Sequence, residues 1–114
     1  MSQITTHILD TSRGKPAWGV TVYFYVKVGP EWIQIAKAIT NSEGRIPNLL
    51  NNDQKLPLGT YKLTFDVIHY FNTLDTECFY PIVEIIFSLK TPDHYHIPLL
   101  ITPFSYTTYR SSYQ

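Results

Sequence analysis

HYHIPLLIT, residues 94–102, alternates: Tyr95, Ile97, Leu99 and Ile101 fall on one side, and His94, His96, Pro98 and Leu100 on the other. A repeat of two is the side-chain period of a strand with one face buried. The same period runs outward through the chain. In VTVYFYVK, Val20, Val22, Phe24 and Val26 share a face, opposed by Thr21, Tyr23, Tyr25 and Lys27. Gly29-Pro30 then breaks the run before Trp32-Ile33-Gln34-Ile35, the pattern of a hairpin with a short loop. Tyr61, Leu63, Phe65 and Val67 make another apolar face, and Val83, Ile85, Phe87 and Leu89 a further one. Pro98 has no N–H to give to a central ladder, so its strand is expected at an edge or at a bulge. His69–Asp75 is the one plausible helix, a turn or two packed on a sheet. Turn residues recur at Arg13-Gly14-Lys15-Pro16, Asn41-Ser42-Glu43-Gly44, Leu56-Pro57-Leu58-Gly59 and Thr91-Pro92-Asp93. Some six to eight short strands with such punctuation point to an all-β antiparallel sandwich with one short helix.

The chain has 114 residues, which fits a single domain over 1–114, and 44% of them are hydrophobic, enough to build a core without disulfide or metal. Nine Lys and Arg balance nine Asp and Glu, and the basic residues are scattered singly, with no stripe to track a phosphate backbone. Nucleic acid and membrane are therefore not expected partners. Cys78 is the only cysteine, which excludes an intramolecular disulfide and reads as a buried or half-buried small apolar residue. No apolar run approaches the ~20 residues of a membrane span. The first residues lack the basic and apolar regions of a secretory signal, and the chain closes on Ser-Tyr-Gln instead of a peroxisomal Ser-Lys-Leu, so the expected compartment is the cytoplasm, with the peroxisome the eukaryotic alternative.

Chemistry near neutrality points to the histidines, at 7, 69, 94 and 96. His94 and His96 share one strand face, while His7 lies in TTHILD. From spacing alone they read as solvated or hydrogen-bonded surface groups; His-x-His also supplies two zinc ligands, but no cluster offers a third and fourth. Ser112 lacks a nucleophile-elbow context, and five scattered glycines match no phosphate-binding loop. The residues by themselves lead to a β-sandwich with a polar, histidine-bearing face.

Thr6-His7-Ile8-Leu9-Asp10-Thr11, Gly14-Lys15-Pro16-Ala17, Gly59-Thr60-Tyr61-Lys62-Leu63, and His94 to Leu100 leading into Pro103-Phe104-Ser105-Tyr106-Thr107-Thr108-Tyr109-Arg110 resemble, in order, the transthyretin superfamily. Within it, 5-hydroxyisourate hydrolases carry a His in the first strand, an Arg after a turn Gly, a His in His-Tyr-His, and a terminal Tyr-Arg-Gly-Ser; hormone carriers hold other residues there. His7, Arg45, His96 and Tyr109-Arg110-Ser111-Ser112 stand at those places. The resemblance implies hydrolytic ring opening of 5-hydroxyisourate to 2-oxo-4-hydroxy-4-carboxy-5-ureidoimidazoline in urate degradation, with no metal or other cofactor. It implies His7 or His96 as the base, Arg45 stabilising negative charge, Arg110 and Ser112 binding substrate or positioning water, and Tyr109 narrowing the pocket. It also implies a transthyretin-like sandwich of seven to eight strands with one short helix, and a homotetramer, a dimer of dimers with sites where the dimers meet. The alternative it leaves open is a non-catalytic carrier of a small aromatic ligand of thyroid-hormone type. Ser111 departs from the family Gly, a substitution costing about 1–2 kcal/mol if the backbone there is left-handed, and Tyr113-Gln114 extend beyond the customary end.

Overall fold

A computed structural model describes residues 2–111. Its strands are β1 (Ile4–Asp10), β2 (Lys15–Pro16), β3 (Thr21–Val28), β4 (Glu31–Ile39), β5 (Gly59–Asp66), β6 (Ile82–Leu89), β7 (Tyr95–Thr102) and β8 (Ser105–Thr108), with one helix, α1 (Val67–Thr73), between β5 and β6. They form two four-stranded sheets, β2-β1-β7-β8 and β4-β3-β5-β6. The alternating faces meet between the sheets: Ile4, Ile8, Val20, Val22, Phe24, Leu63, Phe65, Leu99 and Ile101 are wholly buried. Phe24, Tyr61 and Phe87 stack there, with ring centroids 5.4–6.3 Å apart. The expected sandwich with a short helix is present, with eight strands, and the β3–β4 hairpin turns at Gly29-Pro30 as its sequence indicates. Among the described residues no helix is long and apolar enough to cross a membrane.

Three details differ from the sequence reading. β1 and β7 pair in parallel, from Ile4↔Tyr95 to Asp10↔Ile101, so the sandwich is not wholly antiparallel. β7 is interior, flanked by β1 and β8, although it contains Pro98. A strand residue directs its N and its C=O to the same side, and the Pro98 carbonyl accepts a 2.8 Å bond from the Thr108 hydroxyl on the β8 side. The β7–β8 ladder ends one residue away, at Leu99↔Thr108, so the missing N–H interrupts no ladder bond. The helix starts at Val67, two residues earlier than its spacing suggests, because the Asp66 carboxylate caps it by accepting from the His69 N–H.

The two outer faces differ, and the difference positions the site. On the β4-β3-β5-β6 sheet, the Lys62 ammonium lies over the rings of Tyr25 (4.9 Å) and Trp32 (4.6 Å) and pairs with Glu84 at 3.3 Å, which fills that surface. The outer face of the β2-β1-β7-β8 sheet carries Thr5, His7, His94 and His96 instead.

Candidate active site

Thr5 and His7 are two residues apart on β1, and His96 sits across on β7, paired with Thr5 in the parallel register. The period of two therefore puts all three side chains on one face. A third segment is folded onto this face by a compact turn. Asn41 closes it: its side-chain oxygen accepts from the N–H groups of Glu43 (2.9 Å) and Arg45 (3.0 Å), and its backbone N–H and C=O bond to Arg45 and Gly44. The turn docks on β1 through Ile8 N–H to Gly44 C=O, 2.8 Å, which sets Arg45 opposite His7 in an antiparallel bridge. Gly44 has φ 74°, and a Cβ on it would lie 2.3 Å from the Ile8 carbonyl oxygen, so only glycine permits this approach.

His96 is buried, 4% exposed. Its Nδ1 lies 2.8 Å from the Thr5 Oγ1, and the same hydroxyl lies 2.8 Å from the Nε2 of His94. Burial pushes the His96 pKa down to about 4, assisted by the positive Arg45 and by His7 and His94. Burial and then Arg45 lower His7 as well, against a smaller upward pull from Glu43. Both imidazoles are thus neutral at pH 7, next to a guanidinium that stays charged. Neutral histidines can take a proton, and the guanidinium can hold an anion.

The structure brings His7, Arg45 and His96 together and places the tail differently. The Arg110 guanidinium lies 4.8 Å from the centre of the Tyr95 ring. Tyr95 precedes His96 on β7 and points to the opposite, inner face, so Arg110 and Tyr109 line a cavity of about 300 Å³ at the β6 side of the sandwich, with Ile85, Phe87 and His96. Thr5 and Arg45 line another, of about 350 Å³, with Asn41 and Glu43. His96 is the junction: its carbonyl accepts from the Ser111 N–H at 3.4 Å, holding the tail alongside β7. Among the described non-glycine residues only Asp75 has a positive φ, so Ser111 is not in the left-handed conformation that would require glycine. Ser112, Tyr113 and Gln114 lie outside the described residues. The sequence reading passed over Thr5 and treated His94 as structural, although each lies two residues from a chosen histidine on the same face. His69 is away from the face, bonded to its helix cap Asp66. Cys78 is half-buried against the core, its thiol donating to the Tyr80 carbonyl, and burial raises its pKa.

A sandwich of this topology, with two histidines and an arginine gathered on the outer face of one sheet, is a transthyretin-like fold. Residues 4–111 match the HIUase/Transthyretin family, and the chain belongs to it. It is 44% identical to the 5-hydroxyisourate hydrolase of Mus musculus, across 97% of this chain and 96% of that protein. It is 42% identical to the 5-hydroxyisourate hydrolase of Deinococcus radiodurans, across 96% and 95%. Among solved structures it is similar to Klebsiella pneumoniae 5-hydroxyisourate hydrolase, 38% identical over 96% of this chain and 98% of that one, with a TM-score of 0.83. It is also similar to sea bream transthyretin in complex with thyroxine, 34% identical over 99% of each chain, with a TM-score of 0.89.

Proposed function

We propose that this protein is a hydrolase that opens the ring of 5-hydroxyisourate by attack of water on a ring carbonyl. Shape does not separate hydrolase from carrier, since the chain is as similar in fold to sea bream transthyretin as to the Klebsiella hydrolase. The observation that carries the reading is the convergence of His7, Arg45 and His96 on one face, two of them neutral bases and one a permanent cation. The names of the curated relatives point the same way.

In this reading His96 is the general base. The choice of His96 over His7 is supported by its Nδ1 lying 2.8 Å from the Thr5 hydroxyl, a contact that fixes the ring and leaves Nε2 to take the proton of the attacking water. Its low pKa keeps that nitrogen free of solvent protons at neutral pH. Arg45 stabilises the oxyanion that forms as water adds, and a negative charge beside Arg45 cancels part of the field that depresses His96, raising its basicity as the reaction proceeds. His7, bridged to Arg45, orients water or donates to the substrate ring. Collapse of the tetrahedral adduct expels the ring nitrogen, which takes the proton back from His96. Tyr109 and Arg110, which line the cavity beside His96, bind the substrate, and Ser112 keeps the substrate-binding or water-positioning role expected of it.

We also infer a homotetramer with sites between paired dimers. Exposed apolar side chains support it: Trp18, Phe104 and Tyr109 are each more than half exposed, and among the described residues β6 and β8 are outermost strands of their sheets. Sedimentation should give four times the chain mass. For the activity, the decisive measurement is the decay of freshly generated 5-hydroxyisourate. Wild type should accelerate it, and His96→Ala and His7→Ala should each lower kcat/KM by ~10²-fold or more. Decay at the uncatalysed rate in the presence of wild type would refute the proposal.

A further inference from the structure

We propose that His94 sets, through the Thr5 hydroxyl, which ring nitrogen of His96 carries the proton, and so acts as a positioning residue for the base. The inference rests on His96 being that base. Thr5 Oγ1 lies 2.8 Å from both His94 Nε2 and His96 Nδ1, and the two rings are nearly parallel, 25° apart, with centroids 6.5 Å from each other. A hydroxyl has one proton to give. If both imidazoles donated to Thr5, its proton would find no further acceptor among the described residues, a costly arrangement for a buried hydroxyl. The bonds therefore run one way or the other. In the first sense His96 Nδ1–H donates to Thr5, and Thr5 donates to the bare Nε2 of His94; His96 then presents a lone pair on Nε2. In the second sense every bond reverses, and His96 presents Nε2–H, which cannot accept a proton.

General-base chemistry needs the first sense, and the first sense needs an acceptor at position 94. Both histidines have lowered pKa values with burial as the leading cause, which keeps His94 neutral and able to accept. His94 touches neither Arg45 nor the substrate in this scheme. Its whole effect passes through one hydroxyl to the far side of the His96 ring.

The test is imidazole 15N NMR of the whole protein with labelled histidine, at neutral pH and without substrate. Wild type should show His96 protonated on Nδ1 and bare on Nε2. In His94→Phe the Thr5 proton loses its acceptor and turns to His96 Nδ1, so His96 should switch to the Nε2–H form, with kcat reduced roughly 10-fold or more and KM little changed. His94→Gln, which keeps an acceptor oxygen, should restore the Nδ1–H form and much of kcat. The same protonated nitrogen on His96 in wild type and His94→Phe overturns the proposal. If His94→Phe does not fold, Thr5→Val removes the same bond, and an unchanged His96 tautomer there overturns it equally. The two readings fail separately: a tautomer switch in a protein that leaves 5-hydroxyisourate untouched sinks the proposed activity alone, whereas hydrolysis without a switch sinks only the role of His94.

Discussion

Arg45 depresses two histidines at once, His7 and His96, and its backbone belongs to the turn that docks on β1 beside them. Its charge and its shape can be tested apart. Arg45→Gln removes the cation, so the pKa values of both histidines should rise toward the ordinary ~6.5; the acid limb of the kcat/KM profile, below 6.5 in wild type, should move to higher pH. Arg45→Lys keeps the charge and should leave that limb where it is, yet lose roughly 10-fold or more in kcat/KM because a point charge replaces a planar fork of donors. His7, Arg45 and His96 were readable as a set only through resemblance, since each alone looks like a solvated polar residue. Thr5 was missed because its importance comes from a partner 91 positions away, reached through a parallel pairing that leaves no trace in local alternation.

At the level of elements, the turn closed by Asn41 is the part most exposed to a single substitution. Gly44→Ala places a methyl against the Ile8 carbonyl and forces a side chain onto a left-handed backbone, at a cost of about 1–2 kcal/mol from the conformation alone. Urea unfolding should show that loss, and kcat/KM should fall further than stability explains, because the turn carries Arg45 away from β1. The helix is tied to the site sheet by Tyr70, whose hydroxyl donates to the fully buried Asp10 at 2.7 Å. Burial and that bond push the phenol pKa up to about 12, so it remains a donor at any working pH. Ser12 supplies the other bonds to Asp10, from its N–H and its hydroxyl. Tyr70→Phe strips one donor from a buried carboxylate and should cost about 1–3 kcal/mol, measured by the denaturation midpoint. The inward faces of β3, β5, β6 and β7 were legible because Val, Phe, Leu and Ile alternate without interruption. The helix start was not, because Val67 continues the alternation of β5 and only the capping role of Asp66 ends the strand.

For the molecule as a whole, the neutral histidines impose a sign on acid stability. The unfolded chain protonates His96 near pH ~6.5 and the folded one only near about 4. Above that window both states are neutral; as pH falls through it, the unfolded state binds the extra proton and gains. Stability should decline across the window by on the order of 3 kcal/mol from His96, and His94 and His7 act in the same direction. His96→Gln should flatten that part of the curve in urea titrations repeated at several pH values. An unchanged slope would mean that the ring is not held neutral by the fold.

The parallel pairing of β1 with β7 has a consequence for how the protein is made. β1 leaves the ribosome first, but its partner does not exist until some ninety residues later. The other sheet, β4-β3-β5-β6, is built from hairpin-like neighbours and can close while the chain is still growing. Until β7 arrives, β1 is a waiting strand with one unsatisfied edge, and Thr5 and His7 face no histidine. The face that carries the histidines is therefore the last part of the fold that can be completed, and a chain halted before residue 96 holds a closed half-sandwich without it.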